Sequence, residues 1–192
     1  PLLQDVNKGW LQKIREDAPD HVMGSTTTGG ETTPGAVKVG KGGEYANLDA
    51  VVMDAVNELI DVVYQDDDDL VVICGRELLS DKYFPLVNKE QENSEKLAAD
   101  MIISQKRMGG LQAVRAPFFP PNALLITRLD NLSIYWQEDT RRRSVIDNPK
   151  RDRIENFESV NEAYVVEDYR CAALVENIQI GDFSAAAAEA GA

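Results

Sequence analysis

Gly35-Ala36-Val37-Lys38-Val39-Gly40-Lys41-Gly42 falls one residue short of the phosphate-binding pattern G-x-x-x-x-G-K-S/T. In that pattern backbone amides cradle the phosphates, the lysine reaches toward them and the last hydroxyl holds Mg²⁺. Here Gly42 stands where the hydroxyl should be, and the apolar run LVVIC ends in Cys74-Gly75 rather than in a carboxylate. No buried strand leads into the loop and no helix starts directly after Lys41, so a nucleotide-binding enzyme acting through this degenerate loop is only an alternative. Asp66–Asp69 could suggest a divalent cation. A calcium loop, however, needs carboxylates at alternate positions, a central glycine and a closing glutamate. Four consecutive aspartates read instead as a solvated turn.

His21 is the only histidine. Ser-His-Asp, Cys-His and paired-histidine zinc chemistries therefore lose their base or their ligands. Cys74 and Cys171 lie far apart in apolar stretches and read as buried, reduced thiols, without the paired spacing of a zinc site. Arg141, Arg142 and Arg143, with Lys150, Arg151 and Arg153 close by, form the only basic cluster. No interleaved aromatics accompany it, as a nucleic-acid groove would require. Arginine suits guanidinium–carboxylate geometry between proteins, so these three are the candidate subunit interface. The reading yields no catalytic residue, no metal site and no cofactor site.

These residues need elements to hold them. In LLQDVNKGWLQKIRED (2–17) Leu3, Val6, Trp10, Leu11 and Ile14 recur at helical spacing, and Ala18-Pro19 supplies a stop. The Gly/Thr-rich stretch 24–43 reads as a mobile loop with one short strand at Val37–Val39. Leu48 to Val63 carry a broad apolar stripe that predicts a helix over 48–64, with Asn47 as its cap and Asp49 near its positive end. LVVIC (70–74) reads as a strand, followed by helices near 76–88 and 94–105. QAVRA (112–116) and ALLIT (123–127) read as strands around the turn PFFPPN. The alternation of Leu132, Ile134 and Trp136, the stretch Ile154–Val160, AYVVED and CAALVENI continue in β fashion, with Trp10 and Trp136 expected in the core. Regular βαβ alternation is missing, so the fold class is α+β.

The chain of 192 residues has 20 Lys and Arg against 33 Asp and Glu, a net charge of −13 and a pI near 4.5. That balance disfavours a domain whose task is neutralising phosphates, which needs a basic footprint. At 43% hydrophobic and 28% charged it is ordinary globular material. No apolar run approaches the roughly 20 residues of a membrane span, and no signal peptide is apparent. The first residue is proline rather than methionine, so the chain reads as the remainder of a longer polypeptide.

VGKGGEYANLDAVVMDAVNELI, followed by LVVICGRELLSDKYFPLVNKEQENSEKLAADMIISQKRMGGLQAVRAPFFPPNALLITRLDNLSIYWQE, strongly resembles the major capsid protein of peduovirus-type contractile-tailed bacteriophages. LLQDVNKGWLQKIREDAP at the start and RIENFESVNEAYVVEDY and GDFS toward the end resemble it too. The resemblance implies the shell fold of tailed-phage and herpesvirus capsids, often called the HK-ninety-seven type. It would be present here as the axial domain and part of the peripheral domain, without N-terminal arm, extended loop or spine helix. On this expectation residues 1–44 are a peripheral-domain segment with a flexible loop and 45–135 the axial domain. Residues 136–183 would be peripheral-domain strands and 184–192 a disordered tail.

The function implied is structural and not enzymatic. Subunits self-assemble into the pentamers and hexamers of an icosahedral shell, in the cytoplasm of the bacterial host, and end in the virion capsid. The expected partners are other copies of the chain, an internal scaffolding protein, a portal at one vertex and packaged DNA held by enclosure, with no membrane and no cofactor. The alternative from another class is an acidic binding domain that docks one basic protein.

Overall fold

The structure, a computed structural model, describes residues 2–24, 27–28, 31–32, 35–87 and 106–184. Its centre is a six-stranded sheet. In chain order the contributing strands are β1 (Val22–Met23), β5 (Leu70–Cys74), β6 (Arg107–Met108), β7 (Leu111–Arg115), β8 (Leu124–Arg128) and β13 (Ala173–Val175). Their order in space is β1-β13-β8-β5-β7-β6. The β5–β7 and β1–β13 pairs are parallel, and β8 runs antiparallel to both β5 and β13.

The apolar runs LVVIC, ALLI and AALV have one physical explanation. Successive side chains of a strand point to opposite faces, so a strand covered on both sides must be apolar throughout. Leu70, Val72 and Cys74, Leu124 and Ile126, and Ala173 and Val175 enter one cluster. Val71 and Ile73, Leu125, and Leu174 enter the other.

The first cluster is closed by α2 (Leu48–Leu59) through Leu48, Val51, Val52 and Ala55, and by α4 (Arg76–Val87) through Leu78, Leu79 and Tyr83. The second is closed by α1 (Leu2–Asp17) through Leu11 and Ile14, with Phe119 beside them. On the first side β4 (Val37–Val39) runs parallel to β14 (Ile178–Ile180), and Val37, Val39 and Ile178 are buried. Thr27–Thr28 (β2) and Glu31–Thr32 (β3) form a two-residue antiparallel pair within the Gly/Thr-rich stretch.

The helix predicted over 48–64 is shorter than its stripe. Asn47 caps it as expected, its side chain accepting from the Ala50 amide at 2.9 Å. Ile60 then leaves the helical region, at φ −94° and ψ 135°, while its side chain stays buried. Asp61 caps a new one-turn helix, α3 (Val62–Gln65). The open carbonyls at the end of α2 are met from there, with Gln65 Nε2 donating to the oxygens of Asn57 and Ile60. Val63, expected on the apolar stripe, is therefore exposed. The predicted helix at 94–105 lies outside the described residues, as does all of the expected tail beyond Ser184.

The molecule also carries a long two-stranded ribbon. β9 (Leu132–Trp136) pairs antiparallel with β12 (Glu162–Val166), and further out β10 (Arg142–Asn148) pairs with β11 (Arg153–Ser159). The Gln137 amide donates to the Asn161 carbonyl at 3.1 Å and links the two ladders. Helix α1 seats the base of the ribbon. Trp10 Nε1 donates to the Ser133 carbonyl, and the Trp10 ring meets Tyr164 edge-on at 6.3 Å.

Gly9 makes that seat possible, because a Cβ there would lie 2.1 Å from the Tyr164 ring. Gly9→Ala should lower unfolding stability by about 1–3 kcal/mol in urea titration, because overpacking forces the ring and helix apart. Ile126→Ala, at a site with no exposed surface, should cost about 2–5 kcal/mol. Ile154→Ala on the exposed ribbon should change stability by less than about 0.5 kcal/mol in the same titration.

Candidate functional site

The structure disposes of the phosphate loop with hydrogen bonds. The Gly40 amide donates to the Tyr45 carbonyl, the Gly43 amide to the Gly40 carbonyl and the Tyr45 amide to the Lys38 carbonyl. These three amides are spent inside the turn, and α2 begins only at Leu48. Asp66–Asp69 form the expected turn. The Asp67 side chain accepts from the Asp69 amide and pairs with Arg128 at 3.2 Å. Among the described residues no group of three or more His, Cys, Asp and Glu is placed to hold a metal. Both cysteines are buried and free, and burial pushes the Cys74 thiol up to about 11, far from the reactive thiolate. His21 sits beside the Leu59 carbonyl, with its Nδ1 at 2.5 Å.

Arg141, Arg142 and Arg143 lie where the outer ladder begins. Arg141 and Arg143 both approach Glu158 on the facing strand, each at 3.6 Å, and Arg143 Nε donates to Asn156. All of these side chains are largely exposed, so the pairs add little to stability. Arg142 meets no carboxylate among the described residues. The three arginines thus stand together on solvent-facing ribbon.

The exposed apolar side chains around them are what the sequence reading missed. Of fifteen exposed large hydrophobic residues in the described structure, eight lie between 132 and 166: Ile134, Tyr135, Trp136, Val145, Ile146, Ile154, Phe157 and Val160. Trp136 was expected in the core and is instead 69% exposed, while Trp10 is half-buried. The difference arises because α1 reaches only Tyr164 and Ser133, leaving the outer end of β9 uncovered. The register puts Ile146 diagonal to Phe157 on one face and Val145 diagonal to Ile154 on the other. Neither face has a covering layer among the described residues. At the step between the ladders Trp136, Arg141, Glu158, Val160 and Glu162 border a hollow of about 620 Å³. The signal available was Asn148-Pro149, a turn dipeptide between two seven-residue runs.

At the inner end of the ribbon a polar clamp fixes its exit from the sheet. Asn131 is buried and donates to Thr127 Oγ1 and to the Asp168 carbonyl, while its own oxygen accepts from the Asp168 amide. The Arg170 guanidinium, together with the Arg170 amide and the Tyr64 hydroxyl, donates to the Asp168 carboxylate and holds its pKa down at about 2.

The described residues form a sheet buried on both faces and a ribbon that leaves it with its apolar side chains exposed. The fold is the α+β shell fold of tailed-phage capsids. The chain superposes on a chain from the structure titled "Satellite phage P4 procapsid including size determination (Sid) protein" with a TM-score of 0.80 and 58% identity, covering 92% of this chain and 52% of that one. The family model for "Phage major capsid protein, P2 family" matches residues 1–178, and the chain belongs to that family. It is 62% identical to the "Capsid proteins" of Escherichia phage P2, over 100% of this chain and 55% of the relative. It is 39% identical to the "Major capsid protein" of Serratia phage KSP20, over 93% of this chain and 51% of the relative. The chain therefore spans about half the length of the curated relatives it matches.

The clamp yields a pH prediction. Asp168 is held below its unfolded pKa of 3.8, so its contribution is fully present above about pH 4 and disappears as pH falls toward 2. Asp168→Asn should flatten the loss of unfolding stability between pH 4 and pH 2 relative to the unsubstituted chain, measured by urea titration at each pH.

Proposed function

We propose that the polypeptide containing this chain is the major capsid subunit of a P2-type phage. In this role it self-assembles into the pentamers and hexamers of an icosahedral shell that encloses DNA. The family match over residues 1–178 carries the reading. The uncovered ribbon supports it, because a shell subunit needs surfaces on several sides rather than a pocket. Heterologous contacts repeated around an axis close into rings, which is the geometry of capsomers.

In this reading residues 45–135 belong to the capsomer-centre domain, whose sheet also takes in β1 and β13 from the flanks, and the ribbon from Trp136 outward belongs to the peripheral domain. Arg141, Arg142 and Arg143 face a neighbouring subunit. An internal scaffold and a portal are the further partners during assembly in the bacterial cytoplasm. A net charge of −13 suits a wall that encloses DNA without gripping it.

Electron microscopy of the intact polypeptide co-expressed with its scaffold should show closed, uniform particles. Soluble protein that stays monomeric beside a functional scaffold contradicts the proposal. Replacing Arg141, Arg142 and Arg143 together with Ala should reduce particle yield while the melting temperature stays within about 3 °C, since exposed charges support little of a core. A collapsed melting temperature with normal shells would refute the interface assignment.

A further inference from the structure

The ribbon has unlike chemistry at its two ends. Residues 140–153 hold six Lys and Arg against two Asp, a local charge of +4, so the remainder of the chain carries −17. The four-residue turn after β10 presents Lys150 and Arg151, both exposed, and neither pairs with a carboxylate among the described residues. Flanking that tip are Val145, Ile146, Ile154 and Phe157, exposed on both faces. At the root of the ribbon lies the opposite surface. Asp68 and Asp69 border a hollow of about 390 Å³ together with Asp130, whose carboxylate is already paired with Arg128, and Leu129, which is 56% exposed. Just upstream α3 exposes Val62 and Val63.

The two ends cannot meet within one molecule. Leu129 and Asp130 immediately precede the ribbon, whereas the basic tip lies two ladders away, about 40 Å at the rise of antiparallel strands. Among the described residues nothing covers either face of the outer ladder, so it is not folded back against them. A basic, apolar tip and an acidic, apolar hollow at opposite ends of the ribbon are complementary only between copies.

We infer that the β10–β11 tip of one subunit docks into the Asp68–Asp69–Asp130 hollow at the ribbon root of a second copy, in head-to-tail fashion. This pairing rests on the shell-forming function above and adds the two surfaces that meet. The contact is heterologous, so its repetition closes a ring or continues a lattice instead of stopping at a dimer. Lys150 and Arg151 supply the charge that selects the hollow, and Ile154 and Leu129 supply apolar area that water otherwise covers.

Cysteine pairing tests the arrangement in assembled particles of the intact polypeptide, since a disulfide forms only where the Cα atoms come within about 7 Å. Arg151→Cys combined with Asp69→Cys should give, after oxidation, a ladder of covalent multimers on a denaturing gel. Two results would overturn the pairing: particles of the double variant that stay unlinked, or Arg151→Cys alone giving dimers as abundantly, since tips would then meet tips. A charge exchange provides the second arm. Lys150→Glu with Arg151→Glu should lower particle yield about tenfold or more, and Asp68→Lys with Asp69→Lys added should restore it. Normal yield from the reversed tip, or lost yield without rescue, contradicts the pairing. Unsubstituted particles that form while the variants fail these tests overturn the pairing alone; an unsubstituted chain that never assembles overturns it together with the function it rests on.

Discussion

Strands β5, β8 and β13 each send alternate side chains into opposite clusters, and the rest of the molecule is arranged around that demand. A strand buried on both faces needs two covering layers. The sequence supplies α2, α4 and the β4–β14 pair on one side and α1 with Phe119 on the other. Both faces of the sheet are thus occupied, and the segment between Asn131 and Asp168 has no open sheet face to cover. That segment leaves as a ribbon, held at its root by the Asn131 clamp and by the Trp10 and Tyr164 contact.

An isolated two-stranded ribbon is marginal in water, since it has no face to bury. This one carries more than half of the large exposed hydrophobic side chains of the described structure. Within one copy those residues are a cost. On the proposed function they are surface left available to a neighbouring subunit. The family to which the chain belongs and the uncovered ribbon thus point the same way from independent observations.

The parts of this architecture that could be read from sequence are those a single copy buries. LVVIC and ALLI announce two-sided strands because every position is apolar, and Asn47 before an apolar stripe announces a capped helix. The ribbon was harder to read for the same physical reason. Period-two alternation appears only when one face is buried and the other is wet. In β10 Val145 and Ile146 are adjacent and point to opposite, equally exposed faces, so the alternation is absent. Trp136 misled because a large aromatic in a strand usually has a layer above it, and α1 ends its cover at Tyr164. The basic cluster Arg141–Arg143 was legible as charge, but the exposed apolar surface beside it was not. The break in the 48–64 stripe at Ile60 is marked locally only by Asp61, which caps α3, and the open Ile60 carbonyl is met by Gln65, five residues later.

Hydrogen exchange of the ribbon amides before and after assembly tests the central claim most directly, because exchange reports opening and cover segment by segment. Residues 142–159 should exchange rapidly in the unassembled subunit and become strongly protected in the particle, while the amides of β5 and β8 stay protected in both. Equally rapid exchange of 142–159 in intact particles would contradict the account, since the ribbon would then be as uncovered in the shell as it is in the single chain.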